Sequence, residues 1–187
     1  MTQVCVFHNE CHDGATAAWV IKRRWPDVER YPAKYREPPD LTRLAGKEVI
    51  VVDFSWKRAP MLEVAKVCKT LTVLDHHASA ERELLDFEVE VNALGGASTI
   101  VVFDMERSGC GLSWDYTFPN EPRPRLISYT EDRDLWRFDL PHSKAIHAYC
   151  ASYEPTVEMR DTFYAALEID EGFRACRREG EAILRYH

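Results

Sequence analysis

Asp75, His76 and His77 stand side by side directly after the apolar run Leu71-Thr72-Val73-Leu74. A carboxylate and two imidazoles in one turn can bind a cation or move a proton. Crowding them together is costly unless a cation or anion organises them. Two more apolar runs end in the same residue types. Val49-Ile50-Val51-Val52 leads into Asp53, and Val4-Cys5-Val6-Phe7 leads into His8 and then Asp13. Two-metal hydrolysis draws carboxylates and imidazoles from several strand ends, with one carboxylate bridging ions about 3.5–4 Å apart. A late acid would complete such a set. Asp132 and Asp134, in Thr130-Glu131-Asp132-Arg133-Asp134, are the candidates, and Asp132 is preferred. Oxygen and imidazole donors together suit Mn²⁺ or Mg²⁺ ahead of Zn²⁺ or Co²⁺. His77 would remain free to contact a phosphate or donate a proton. The chemistry indicated is metal-assisted phosphoryl transfer.

Each of these residues also has a plainer reading. Asp75-His76-His77 would serve as a solvated turn, and Asp53 as a helix N-cap shared with Ser55. His8 would be a satisfied strand-end histidine, Cys11 a small packed residue. Either late acid would pair with Arg133, Arg137 or Lys144 at the surface. What favours the site is that His8, Asp53 and Asp75-His76-His77 each follow a buried-looking run.

The elements that must position these groups read as an α/β pattern. Apolar runs at 4–8, 28–35, 48–54, 70–74 and 87–92 read as strands. Helices are expected at 14–21, 60–68, 79–85 and 97–107, the last opened by Gly95-Gly96. Strands separated by helical stretches imply βαβ units and a mainly parallel sheet of about five strands, flanked by helices. Ligands of such sheets bind beyond the carboxyl ends of the strands. From Gly109 to Pro124 glycine and proline are frequent and a loop is expected. Residues 126–136 and 156–186 read as helical, while 141–153 is ambiguous. The division expected is a catalytic α/β core over residues 1–136 and a helical C-terminal segment over 137–187 packed on the same domain.

The chain has 187 residues and a net charge of −7. That sign disfavours holding long duplex nucleic acid through its backbone. A small anionic substrate is still accommodated, because bound cations reverse the sign of an acidic cleft. The six cysteines, at 5, 11, 68, 110, 150 and 176, form no CxxC pair and read as reduced thiols of a cytoplasmic protein. No apolar run approaches the roughly 20 residues of a membrane span. A strand starting by Val4 leaves no room for a signal peptide. A homo-oligomer is compatible with the long C-terminal helical stretch.

Taken together, the motifs resemble the DHH phosphoesterase superfamily. The first family motif, a histidine followed by Asp-x-Asp and a small residue, reads here His8-Asn9-Glu10-Cys11-His12-Asp13-Gly14. Asp53 matches the second, Asp75-His76-His77 the third, and Asp132 the fourth. Gly95-Gly96-Ala97-Ser98 is similar to the family's turn into its next helix. The resemblance covers roughly residues 4–136 and rests on the order of four motifs, not on Asp-His-His alone.

The resemblance implies divalent-metal-dependent hydrolysis of a phosphodiester or phosphoanhydride by metal-activated water, with two Mn²⁺ (or Mg²⁺ or Co²⁺) ions. It implies that Asp53 bridges the ions, that His8 serves one, and that Asp13, His76 and Asp132 serve the other. Asp75 would orient His76 or neighbouring backbone, and His77 would assist at the substrate. Ser98 and Arg133 are the candidate substrate contacts. Short oligonucleotides or cyclic and linear dinucleotides are the expected substrates, with inorganic polyphosphate as the alternative. Two departures stand out. Cys11 occupies the place of the first Asp of Asp-x-Asp, and thiolate is a poor ligand for Mn²⁺ or Mg²⁺, so one ion would be weakened. The glycine-rich second domain of many members has no counterpart. Both departures motivate a rival, a nucleotide-binding protein on a degenerate scaffold.

Overall fold

The computed structural model describes residues 2–186. Five strands form one sheet: β1 (Gln3–His8), β2 (Glu29–Ala33), β3 (Glu48–Val52), β4 (Thr70–Asp75) and β5 (Ser98–Phe103). Their order across the sheet is β2-β1-β3-β4-β5, and every pairing is parallel. The fold is α/β, as the alternation of apolar runs and helical stretches predicts.

Side chains alternate across the sheet, as the two-residue period of a strand requires. Cys5, Phe7, Ile50, Val52 and Leu74 face one layer, built on α1 (His12–Arg24) and α6 (Gly109–Thr117). Val4, Val6, Val49, Val51, Leu71 and Val73 face the other, covered by α2 (Leu41–Leu44), α3 (Arg58–Val67) and α5 (Phe87–Ala93). A short helix, α4 (Ala78–Glu83), follows β4. With both faces covered, the central strands are apolar almost throughout, which explains why β3 and β4 read as unbroken runs. Each fully buried aliphatic side chain contributes roughly 1.5–3 kcal/mol.

The C-terminal helices are α7 (Arg125–Asp134), α8 (Ser143–Ala151), α9 (Val157–Leu167) and α10 (Asp170–Tyr186). They continue the first layer. Leu126, Ile127, Ile146, Tyr149, Phe163, Leu167 and Cys176 share an apolar cluster with Trp19, Val20 and Ile21 of α1. Buried Trp19 donates its indole N–H to Asp161 Oδ1 on α9 (2.7 Å). The ambiguous stretch 141–153 contains α8.

Three expectations are corrected. Residues 87–92 form helix α5 and not the fifth strand. Their alternation Phe-Glu-Val-Glu-Val suits a strand, but Phe87 and Val91 also lie one helical turn apart, and both are buried while Val89 is exposed. The fifth strand is instead Ser98–Phe103, placed in the expected helix 97–107. Its β-branched run pairs in register with β4 from Thr70↔Ser98 to Asp75↔Phe103. Finally, the expected loop after Gly109 opens with helix α6, whose N-cap Ser108 accepts from the Gly111 backbone N–H (3.2 Å).

Candidate functional site: a carboxylate and histidine cluster at the sheet edge

Sheet register brings the chemistry together. Phe7, Val52 and Leu74 are paired neighbours, so the next residue on each strand, His8, Asp53 and Asp75, falls in one row at the carboxyl edge. The chain leaves β1 for β2 on one side and then returns past it to β3. The gap between β1 and β3 is therefore the topological switch point at which ligands of open α/β sheets bind. His8 and Asp53 flank that gap.

Asp53 is 1 % exposed and adopts a left-handed backbone (φ 51°), a conformation that aspartate tolerates better than most residues. Its Oδ1 lies 3.1 Å from His76 Nε2, and its Oδ2 lies 3.7 Å from His8 Nδ1. The second distance is a charge contact and too long for a hydrogen bond. Among the described residues Oδ2 has no hydrogen-bond partner although it is buried. Burial alone would raise the Asp53 carboxyl, but the imidazoles of His76 and His8 outweigh it and hold it down at about 2.

Asp13 is buried at the start of α1 and held from the opposite side. The backbone N–H groups of Gly109 and Cys110, at the N-terminus of α6, donate to its Oδ2 (2.6 Å) and Oδ1 (3.0 Å). Burial, reinforced by the charges of Asp53 and Asp134, still raises its carboxyl well above the usual range. Two glycines make this approach feasible. A Cβ on Gly14 would sit 2.4 Å from the His8 carbonyl oxygen. One on Gly109 would sit 2.4 Å from Asp53 Cβ and 2.9 Å from Asp13 Oδ2.

His76 Nε2 is also 3.9 Å from Asp13 Oδ2 and 3.6 Å from Asp134 Oδ2. Burial works against its charge, but the bond to Asp53 and the charges of Asp13 and Asp134 prevail and raise it to about 9. Asp75, completely buried, organises the turn. Its Oδ1 accepts from the backbone N–H of His76 (2.8 Å) and from that of His77 (3.3 Å), and pairs with His77 Nδ1 at 2.6 Å. That last contact raises His77 above the ordinary histidine value and leaves its Nε2 outside the pair.

Among the described residues, three overlapping donor sets have ligand atoms within 4.8 Å of one another: His8/Cys11/Asp53, Asp53/His76/His77 and Asp13/His76/Asp134. Asp53 and His76 each belong to two of them. The donors are mostly hard oxygen and imidazole, and an orphaned Asp53 oxygen faces them. They therefore fit a divalent cation of the Mn²⁺ or Mg²⁺ type. Cys11 sits within the first set; burial and the charges of Asp53 and Asp13 push its thiol up in the metal-free protein, and a soft sulfur donor matches Mn²⁺ or Mg²⁺ poorly.

The structure brings His8, Asp13, Asp53, Asp75, His76 and His77 together, and it places two of the expected residues elsewhere. Asp132 is not at the cluster. Its carboxylate accepts from the backbone N–H of Asp139 (2.9 Å) and of Leu140 (3.3 Å), pinning the loop after α7. Asp134 takes its place. Positions two apart on a helix face about 200° apart, so only one of the two acids can point at the sheet edge. Ser98 is exposed at the amino end of β5, the edge opposite the site, because the turn expected to open a helix leads into a strand. Arg133 does line the site, beside Asp134 and His147.

Sequence reasoning missed Gly109 and Cys110, whose N–H groups hold Asp13, and it missed Arg160; His12 reads from the sequence only as a substitute donor beside Cys11, and His147 is given no role there. Arg160 lies on the far C-terminal segment, and no local pattern ties it to residue 13. The signal available was Ser108 followed by a run of small residues, an N-cap pattern.

Two cavities flank the cluster. One, of 310 Å³, runs from His8 and Asp13 to Arg133, His147 and Arg160. The other, of 1160 Å³, is an open groove between Tyr35, Trp56 and α4. Tyr35 lies edge-on to His8 (4.9 Å between ring centres) and stands between groove and cluster. No helix among the described residues is long and apolar enough to cross a membrane.

No family model matches the chain. It is 27% identical over 188 residues to an uncharacterised protein of Acanthamoeba polyphaga mimivirus, an alignment covering 90% of this chain and 41% of the viral protein. The chain thus spans about two fifths of that relative's length. The crystal structure of an uncharacterised protein from Helicobacter pylori superposes on all of this chain and 62% of its own, with a TM-score of 0.64 and 11% identity. That likeness is one of fold.

Proposed function

We propose that this protein is a divalent-metal-dependent phosphohydrolase acting on phosphodiester bonds of short oligonucleotides or of linear or cyclic dinucleotides. The observation that carries the reading is the position of Asp53, whose two carboxylate oxygens face histidines from two different strands at the switch point of the sheet. It is the placement expected of a carboxylate shared by two cations. The resemblance to DHH phosphoesterases in motif order supports the same reading.

His8, Asp13, Asp53, His76 and Asp134 would hold the cations. When bound, these supply Lewis-acid activation of water and neutralise charge on the phosphoryl oxygens. The remaining steps belong to side chains. Asp75 engages His77 through Nδ1, which leaves its Nε2 to hold a proton for the leaving oxygen. The N–H groups of Gly109 and Cys110 keep Asp13 oriented. Tyr35 shields the edge of His8 from water.

The Cys11 thiol favours a second reading. A soft thiol beside His8 and Asp53, in the place of a hard carboxylate donor, weakens one donor set. A protein with one ion, binding a nucleotide without turnover, would follow.

The test is hydrolysis of bis-p-nitrophenyl phosphate, dinucleotides, cyclic dinucleotides and short polyphosphate with Mn²⁺, Mg²⁺, Co²⁺ or no metal, with His76→Ala as control. Metal-dependent turnover that disappears in the variant supports the proposal. Absence of turnover with every substrate and metal overturns it in favour of the binding protein, and a preference for polyphosphate moves the substrate to phosphoanhydrides.

A further inference from the structure

Arg160 is 1 % exposed, yet among the described residues no carboxylate lies within ion-pair distance of it, and the charge of Asp13 acts on it only from farther away. Its Nε donates to the Thr156 carbonyl (3.2 Å), its Nη2 lies 3.1 Å from His12 Nδ1, and its guanidinium stacks 4.9 Å from the Phe163 ring centre. Burying a guanidinium without a counter-charge is unfavourable, and buried charges are ordinarily paired. This one lines the 310 Å³ cavity, which Asp13 and Asp134 also line. A second cation stands at the rim. Arg133 Nε is 3.4 Å from His147 Nε2, and its Nη1 is 3.9 Å from Asp134 Oδ1. The rings of His12 and His147 meet edge-on, 6.4 Å apart. The cavity is therefore lined by two guanidinium groups and two imidazoles together with the carboxylates of Asp13 and Asp134.

We propose that this cavity binds a terminal phosphate of the substrate, held by Arg160 and Arg133 beside the phosphorus that reacts at the cluster. The inference rests on the phosphohydrolase reading and narrows its substrate class. Ligand cavities run from about 300 to 1,000 Å³, and this one, at the small end, has room for a phosphate and part of the group that carries it. The bulkier end of the substrate is left to the open groove lined by Tyr35, whose ring lies edge-on to His8. Compounds with a phosphorylated end satisfy both constraints, whether 5′-phosphorylated dinucleotides or short polyphosphates. The carboxylates also set a coupling. Cations at the cluster remove their repulsion, so phosphate and metal should each strengthen binding of the other by the same factor.

The experiment titrates inorganic phosphate into the full chain by calorimetry, with and without Mn²⁺, for wild type, Arg160→Gln and Arg133→Gln. It then compares kcat/KM for a dinucleotide with and without a 5′-phosphate, and for tripolyphosphate. The expected result is phosphate binding that is tighter with Mn²⁺ and weakened about tenfold or more by Arg160→Gln, the loss of a charged hydrogen bond. The kcat/KM loss is expected to be about tenfold greater for the phosphorylated dinucleotide than for the plain one. Preference for tripolyphosphate over the dinucleotides would identify the phosphate as the end of a polyphosphate. A folded Arg160→Gln protein that binds phosphate like wild type, or that loses both dinucleotide activities equally, overturns the proposal. If Arg160→Gln does not fold, Arg133→Gln, at the partly exposed rim, carries the same comparison. Arginine-dependent phosphate binding without any turnover would retain the cavity and reject the hydrolase. Turnover without discrimination would do the reverse.

Discussion

Asp53 and His76 leave adjacent parallel strands and meet at 3.1 Å, Oδ1 to Nε2, with Asp53 in a left-handed turn that aims its other oxygen at His8. One buried carboxylate thereby sits between two imidazoles that are far apart in the chain. The contact joins β3 to β4, one strand beyond the β1–β3 gap where the sheet reverses its winding.

Asp53→Asn tests the bridging role. Asparagine keeps the shape and tolerates a positive φ, so the fold should persist. Removing the charge should lower metal-dependent turnover by about a hundredfold or more. Activity assays paired with circular dichroism decide the matter, and near-normal turnover in a folded variant would refute the shared-carboxylate assignment.

The two late acids have separable roles. Asp134→Asn should weaken Mn²⁺ binding by about tenfold or more with little loss of stability. Asp132→Ala should do the opposite. It removes the acceptor for two backbone N–H groups, at a cost of about 2 kcal/mol, while metal affinity stays near that of wild type. Calorimetry and urea unfolding of both variants read the two effects independently.

Gly109→Ala introduces a single methyl group 2.4 Å from Asp53 Cβ and 2.9 Å from Asp13 Oδ2. Helix α6 must shift away, taking with it the N–H groups that hold Asp13. The expected outcome is a loss of about 1–3 kcal/mol in stability and about a tenfold drop in metal affinity. Unchanged unfolding and metal-binding curves would show that α6 does not position Asp13.

Stability of the metal-free protein should fall as pH rises from 6.5 to 9. His76 titrates at about 9 in the fold against an ordinary value of 6.5. The stability it contributes is therefore complete below 6.5 and lost as pH passes through 9. The raised Asp13 carboxyl acts in the same direction, because its charged form is disfavoured by burial. Added Mn²⁺ displaces these protons, so its stabilising effect should grow over the same range. Melting curves across this pH range, with and without Mn²⁺, check both statements. His76→Asn should flatten the metal-free curve.

His8, Asp53 and Asp75-His76-His77 were legible in the sequence because each ends an apolar run. A covered parallel sheet requires such runs, and its strand ends converge on one edge. Amino-acid order therefore determined the fold class and most of the donor set. It did not determine the fifth strand, because Phe87 to Asn92 satisfies both a two-residue period and an i,i+4 helical pair, and pairing with β4 resolves the tie. Nor did it separate Asp132 from Asp134, since neighbours on a helix are distinguished only by the face that meets the sheet. The hold of Gly109 on Asp13, and the enclosure of Arg160 beside His12, join residues 96 and 148 positions apart. Contacts of that range leave no trace in local spacing. They exist because helices α6 and α9 pack on α1 through a common apolar core, and only the tertiary structure decides which polar groups that packing brings together.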